Sequence, residues 1–123
     1  MVIPDTDILI ASFRKNEMAK QLLVKYCSQL TISIVTEMEL YAGANDERKK
    51  KAVKNVLADH DVVALNKAIG ETALRLMKLY NTRTRSLYLA DALIAATCLE
   101  NDAWLLTFNT KDFKFIKGLK LAK

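Results

Sequence analysis

The chain is poor in the residues that interrupt or staple a polypeptide. Its 123 residues include one proline, Pro4, and three glycines, Gly43, Gly70 and Gly118. No Pro/Gly/Ser-rich linker therefore divides it, and no repeat or low-complexity tract is present. The two cysteines, Cys27 and Cys98, form no C-x-x-C pair, and each sits in an apolar run. They are expected as buried thiols rather than a disulfide framework, which favours a reducing cytoplasm. The single histidine, His60, has no nucleophile near it in sequence, so triad chemistry is not expected. Long hydrophobic runs are lacking too. The apolar stretch from Leu87 to Leu99 is broken by Asp91 and is shorter than the ~20 residues that span a bilayer. Asp5 and Asp7 stand where a secretory signal would need basic and then apolar residues. Neither export nor membrane insertion is expected.

What is present is the composition of one compact domain over residues 1–123, with 51% hydrophobic and 27% charged residues. At this length folding buries roughly 60–70% of the unfolded surface, enough for a core without staples. The net charge of +5 permits a polyanionic partner without demonstrating one.

Short strand-like runs at Met1 to Pro4, Thr31 to Ile34, Val62 to Leu65 and Ala103 to Leu106 alternate with helical spacings of apolar residues. Helices are expected after Asp5-Thr6-Asp7 with Thr6 or Asp7 as cap, from Asn16 to about Leu30, from Thr36 to about Ala44, from Asp46 to Ala58, from Lys67 to Tyr80 and from Tyr88 to Leu99. Asn81 to Ser86 reads as a loop, and a short tail follows the last strand. Parallel neighbours need a crossover that a helix supplies, so the pattern implies a three-layer α/β/α sandwich on a short, mostly parallel sheet. Pro4, in what should be a central strand, is tolerable only if that strand has effectively ended.

In open parallel sheets, ligands gather outside the carboxyl ends of the strands. Asp5 follows the first strand, Glu39 lies one turn into the helix after the second, and Asn109 and Asp112 follow the last. Asp91 interrupts an apolar run, where a carboxylate is costly unless it is paired or holds a metal. Converging carboxylates are naturally neutralised by a hard divalent cation, and the chemistry that uses such a cluster is phosphodiester hydrolysis.

Four segments carry a resemblance: Asp5-Thr6-Asp7-Ile8-Leu9-Ile10, Ile32-Ser33-Ile34-Val35-Thr36-Glu37-Met38-Glu39-Leu40, Ala90-Asp91-Ala92-Leu93-Ile94-Ala95-Ala96-Thr97, and Leu105-Leu106-Thr107-Phe108-Asn109-Thr110-Lys111-Asp112-Phe113. In this order they resemble the PIN domain family, and the length and spacing resemble its VapC-type toxins. That resemblance implies a Mg²⁺- or Mn²⁺-dependent endoribonuclease with Asp5, Glu39 and Asp91 as core acids and a fourth from the Thr107 to Asp112 segment. Asn109 is an amide, so Asp112 is taken as that fourth acid. The resemblance also implies a cognate antitoxin and a homodimer. Asp7 replaces the family's usual Asn or Ser, adding a negative charge near the site.

Simpler readings stand beside these. Thr36-x-x-Glu39 is a capping box, Asp5 or Asp7 is a turn or helix cap, with that reading preferred for Asp7, and Asp91 is an N-cap. Thr6, Thr107 and Asn109 either contact substrate or satisfy loop backbone. Arg83 and Arg85, in the loop before Asp91, are the candidates for holding the scissile strand. The run Arg48 to Lys54 reads as a solvated helix face. Lys111, Lys114, Lys117, Lys120 and Lys123 read as an exposed edge near the site, and Trp104 and Tyr88 as core. The alternative function is a non-catalytic domain of the same fold that binds RNA or a protein.

Overall fold

A computed structural model describes all of residues 1–123. In chain order the elements are β1 (Val2–Pro4), α1 (Thr6–Phe13), α2 (Glu17–Lys25), β2 (Thr31–Ser33), α3 (Ile34–Ala42), α4 (Glu47–Leu57), β3 (Asp61–Val63), α5 (Lys67–Tyr80), α6 (Leu89–Glu100), β4 (Trp104–Leu106), a 3₁₀ turn (Thr110–Asp112) and β5 (Lys120–Leu121). All strand pairs are parallel: β1 with β4, β4 with β5, and β2 with β3. A single parallel bridge, Val2 to Leu30, joins β1 to the β2 side. The resulting spatial order is β3-β2-β1-β4-β5.

Alternation along the strands sets the layers. In β1 and β4, Ile3 and Leu105 point into the main core with α5 and α6 residues such as Ile69, Leu76, Ala92 and Ala95. Val2 and Leu106 point the other way, against Ile8 of α1 and Ala19 of α2. Helices thus cover both faces, giving the expected α/β/α sandwich. A separate small core gathers Leu9, Ile32, Leu40, Val53 and Leu57 beneath α4.

The capping pattern explains where helices begin. Asn16, Asp46 and Asn66 each accept from the backbone N–H three residues on, at the starts of α2, α4 and α5. Pro4 is accommodated differently from the expectation, since β1 has not ended there and Pro4 pairs with Leu106. The Val2 N–H donates to Gln29 on the β2 side and the Asp5 N–H to Leu106 on the β4 side. Alternation therefore turns the position of Pro4's missing N–H toward β2, beyond the single bridge where no ladder continues.

Several expectations are corrected. Helix α2 stops at Lys25 rather than near Leu30, because residue 30 is already committed to the bridge with Val2. The tail contains β5, which pairs with Trp104 and Leu105. Cys27 is exposed, whereas Cys98 is buried, and burial pushes its thiol up to about 12. Trp104 and Tyr88 are not core: they are 44% and 71% exposed. Lys120 is half-buried, bonds Asp102 at 2.9 Å and lies over the Trp104 ring. Its contacts are therefore at the opening residue of β4, away from that strand's carboxyl end. No helix is long and apolar enough to cross a membrane.

Candidate active site

The register of the sheet brings the site together. Pro4 pairs with Leu106, so the residues that follow β1 and β4 emerge side by side. Asp5 caps α1, with Oδ1 accepting from the Thr6 N–H at 2.8 Å and Oδ2 accepting from the Thr107 hydroxyl at 2.9 Å. Glu39 arrives from α3, and its Oε1 accepts from the Thr6 hydroxyl at 2.6 Å. Asp91 stands in the first turn of α6, the helix that leads back to the start of β4. Asp112 closes the 3₁₀ turn after β4 and is exposed.

These acids share one electrostatic environment. Burial, then the charges of Asp7 and Asp91, raise the Asp5 carboxyl to about 7. Burial, then Asp112, Glu39 and Asp7, raise Asp91 to about 6. None of the structure's salt bridges involves any of the five acids. Like charges at Asp5, Asp7 and Asp91, partly desolvated and without a cation, cost free energy that protonation or a bound cation relieves.

The aspartates at positions 5 and 7 exchange the roles expected of them as caps. Asp5 is the cap, while Asp7 reaches across to the segment after β4. Its Oδ2 accepts from the Phe108 N–H at 3.1 Å and from the Asn109 side-chain amide at 3.0 Å. Its Oδ1 is buried without a hydrogen-bond partner, and burial is the main cause of its raised pKa. Asp7 is thus the site residue that the motif reading undervalued. The signal was its acidic departure from the Asn or Ser usual at that position.

The capping-box reading of Glu39 is also displaced. The cap of α3 is Ser33, whose hydroxyl accepts from the Val35 N–H, so Thr36 and Glu39 both lie inside the helix. Thr36 is fully buried, its hydroxyl 3.0 Å from that of Thr6. The Tyr88 side chain makes no cap bond at α6, and Asp91 lies within that helix rather than at its cap.

Of the residues expected to touch substrate, Thr6 and Thr107 are buried, with their hydroxyls committed to Glu39 and Asp5. Their position is that of groups that orient carboxylates. Asn109 is exposed, donating its backbone N–H to the Thr107 hydroxyl and its amide to Asp7. Arg83 and Arg85 are exposed, with the Arg85 guanidinium stacked 4.1 Å over the Phe115 ring.

The donor set suits a hard divalent cation. It is all oxygen, it includes the unpartnered Oδ1 of Asp7, and Asp5, Asp7 and Asp91 within it resist ionisation in the absence of a counter-charge. The arrangement is open rather than a closed cage, since no three His, Cys, Asp or Glu side chains are gathered tightly enough to enclose an ion. The fit is one of chemistry and position.

Comparison with known proteins bears on the family and the fold. The PIN domain family model matches residues 2–119. Ribonuclease VapC10 of Mycobacterium tuberculosis (strain CDC 1551 / Oshkosh) is 32% identical over 122 residues, covering 98% of this chain and 91% of the relative. Among solved structures, a toxin–antitoxin complex from Klebsiella pneumoniae contains a chain 32% identical, with a TM-score of 0.83 and coverage of 97% of this chain and 95% of that one. VapBC2 from Rickettsia felis, at 21% identity, shares the fold with a TM-score of 0.87 over 99% of this chain and 98% of that one.

Proposed function

The chain belongs to the PIN domain family, and from that premise we propose that it is an endoribonuclease that hydrolyses RNA phosphodiester bonds, serving as the toxin of a toxin–antitoxin pair. Residues 1–123 act as one nuclease domain. The observation that carries this reading is the group of carboxylates Asp5, Asp7, Glu39, Asp91 and Asp112, among which burial and neighbouring like charges push Asp5 and Asp91 upward, in a chain of net charge +5. The ribonuclease name of the M. tuberculosis relative and the toxin–antitoxin assembly of the K. pneumoniae structure support the same conclusion.

Asp5, Glu39, Asp91 and Asp112 would hold Mg²⁺ or Mn²⁺, with Asp7 beside them. Such a cation, when bound, lowers the pKa of a water and neutralises charge on the leaving oxygen. The protein's own residues fix the acids beforehand. Thr6 orients Glu39, Thr107 orients Asp5, and Asp7 pins the backbone at Phe108 and the amide of Asn109. Arg83, Arg85 and Asn109 would contact the RNA backbone, a role that their exposure supports.

The antitoxin and a second copy of the chain are the protein partners. Exposed apolar side chains are available to them on α3, α5 and the start of α6, including Met38, Leu74, Leu79 and Leu89.

Purified protein incubated with structured RNA and Mn²⁺ tests the reading. Cleavage is expected to fall about 100-fold or more in Asp5→Asn and Asp91→Asn, because removing even the hydrogen-bond partner of a ligand typically costs about 10–100-fold. Cleavage unchanged in both variants identifies a contaminating nuclease and defeats the assignment.

A further inference from the structure

Glu39 has a second surroundings besides the acid cluster. It forms one wall of a groove of about 440 Å³ between α1, α3 and α4. The floor is apolar, with Ile10 and Phe13 of α1 and Val53 of α4 among its lining. Phe13, the only aromatic ring there, is 37% exposed. The rim carries Arg14, Arg48 and Lys49, all exposed and none in a salt bridge, although neighbouring Lys50 is paired with Glu47. A groove with unpaired cations along its edge, an aromatic in its floor and a catalytic acid at its end has the parts of a single-strand nucleic-acid channel.

We propose that this groove is the subsite for the RNA strand next to the scissile bond, with one nucleobase on Phe13 and flanking phosphates on Arg14, Arg48 and Lys49. The inference rests on the endoribonuclease reading and adds the path of the strand. Continuity is the main argument: Glu39 lines the groove and its Oε1 accepts from Thr6, the residue next to Asp5, so the groove borders the acid cluster. Charge is the second, because a phosphate backbone approaching an acidic cluster needs compensating cations along its route. The Arg48 to Lys54 run is then not uniform. Arg48 and Lys49 face the groove, while Lys50 and Lys51 are not part of its lining.

Gly43 allows a test that leaves charge unaltered. It also lines the groove, its φ of −90° needs no glycine, and an added Cβ meets nothing nearer than 3.8 Å. Gly43→Leu therefore obstructs the groove without straining the backbone.

The experiment measures anisotropy of a labelled, random-sequence single-stranded oligoribonucleotide in EDTA across a KCl series, with Mn²⁺-dependent cleavage followed in parallel. The triple variant Arg14→Gln, Arg48→Gln, Lys49→Gln is expected to bind more weakly and to flatten the plot of log K against log salt by about 2, near 0.7 per lost contact. Phe13→Leu and Gly43→Leu are expected to weaken binding about tenfold with the slope unchanged. The triple Lys67→Gln, Arg75→Gln, Lys78→Gln on the exposed face of α5 is expected to retain both. Groove variants that bind and cleave like the wild type overturn the subsite while leaving the ribonuclease intact, and an equal loss in the α5 triple overturns it as general electrostatics. Wild-type protein that neither binds nor cleaves RNA overturns both readings together.

Discussion

Asp91 meets opposition to its charge from burial and from Asp112, Glu39 and Asp7, with no hydrogen bond offsetting them. Its carboxyl titrates near 6 in the native protein against 3.8 in the unfolded chain, and that of Asp5 near 7. The native state therefore holds protons that the unfolded state has released. The stability this contributes is full below about pH 4 and is lost as pH rises through 6 for Asp91 and 7 for Asp5. In EDTA, thermal denaturation is expected at a higher temperature at pH 5.5 than at pH 8. Asp91→Asn should flatten that slope and raise the pH 8 midpoint by up to roughly 2 kcal/mol of stability. A wild-type midpoint that is higher at pH 8 would contradict the sign. The importance of Asp91 was legible in its sequence, because a carboxylate within an apolar run needs a reason. Asp7 was less so, since its decisive partners, Phe108 and Asn109, lie 101 and 102 positions away. Which of two neighbouring aspartates caps and which reaches across is set by backbone direction at the end of β1, a property that spacing does not encode.

Helices α1 and α3 meet at Thr6, whose hydroxyl proton goes to Glu39 while Thr36 lies against the same oxygen. A helix start is thereby used to aim a side chain on another helix. Thr6→Val keeps the shape but leaves Glu39 without its donor. Activity is expected to drop about 10–100-fold, with a stability loss of about 1 kcal/mol. Thr6→Ser should restore most of both in a cleavage assay paired with urea denaturation, and a serine variant as impaired as the valine would exclude the hydroxyl as the cause. Long periodic elements were legible at this scale: α5 occupies Lys67–Tyr80 as its apolar spacing indicates. Strand β5, two residues long, carries no period to detect. Trp104 was misjudged because a central strand suggests burial. As its first residue, however, it sits at the rim, with Lys120 lying over its ring.

The whole molecule sets an acidic patch within a basic chain, and its stability should register the cation that resolves the conflict. With Mn²⁺ at about 100 times its dissociation constant, stabilisation of roughly 2.7 kcal/mol follows for one site. Calorimetry at pH 7.5 is expected to show a raised midpoint in wild-type protein and a much smaller rise in Asp91→Asn. Equal shifts in the two proteins would remove Asp91 from the ligand set. The parallel α/β order was readable because four short strands alternate with helices. The closeness of the acids was readable only by combining that order with the rule that sites form at carboxyl strand ends. That no three of them close into a cage could not be read at all.

Between β1 and β2 the ladder is reduced to the bridge of Val2 and Leu30, so the sheet consists of two laddered leaves joined at one point. One leaf, β2 and β3 with α3 and α4, builds its small core with Leu9 of α1 and reaches the main core through Val35 and Val63, and it is expected to open before β1, β4 and β5 do. Amide protons of Ile32 and Val63 are then expected to exchange with deuterium by a lower-energy opening than those of Ile3 and Leu105, as native-state exchange in rising denaturant would reveal. Because Glu39 rides on the looser leaf and Asp5 and Asp91 on the firmer one, the same opening would pull the carboxylates apart, so whatever clasps them together also locks the leaves.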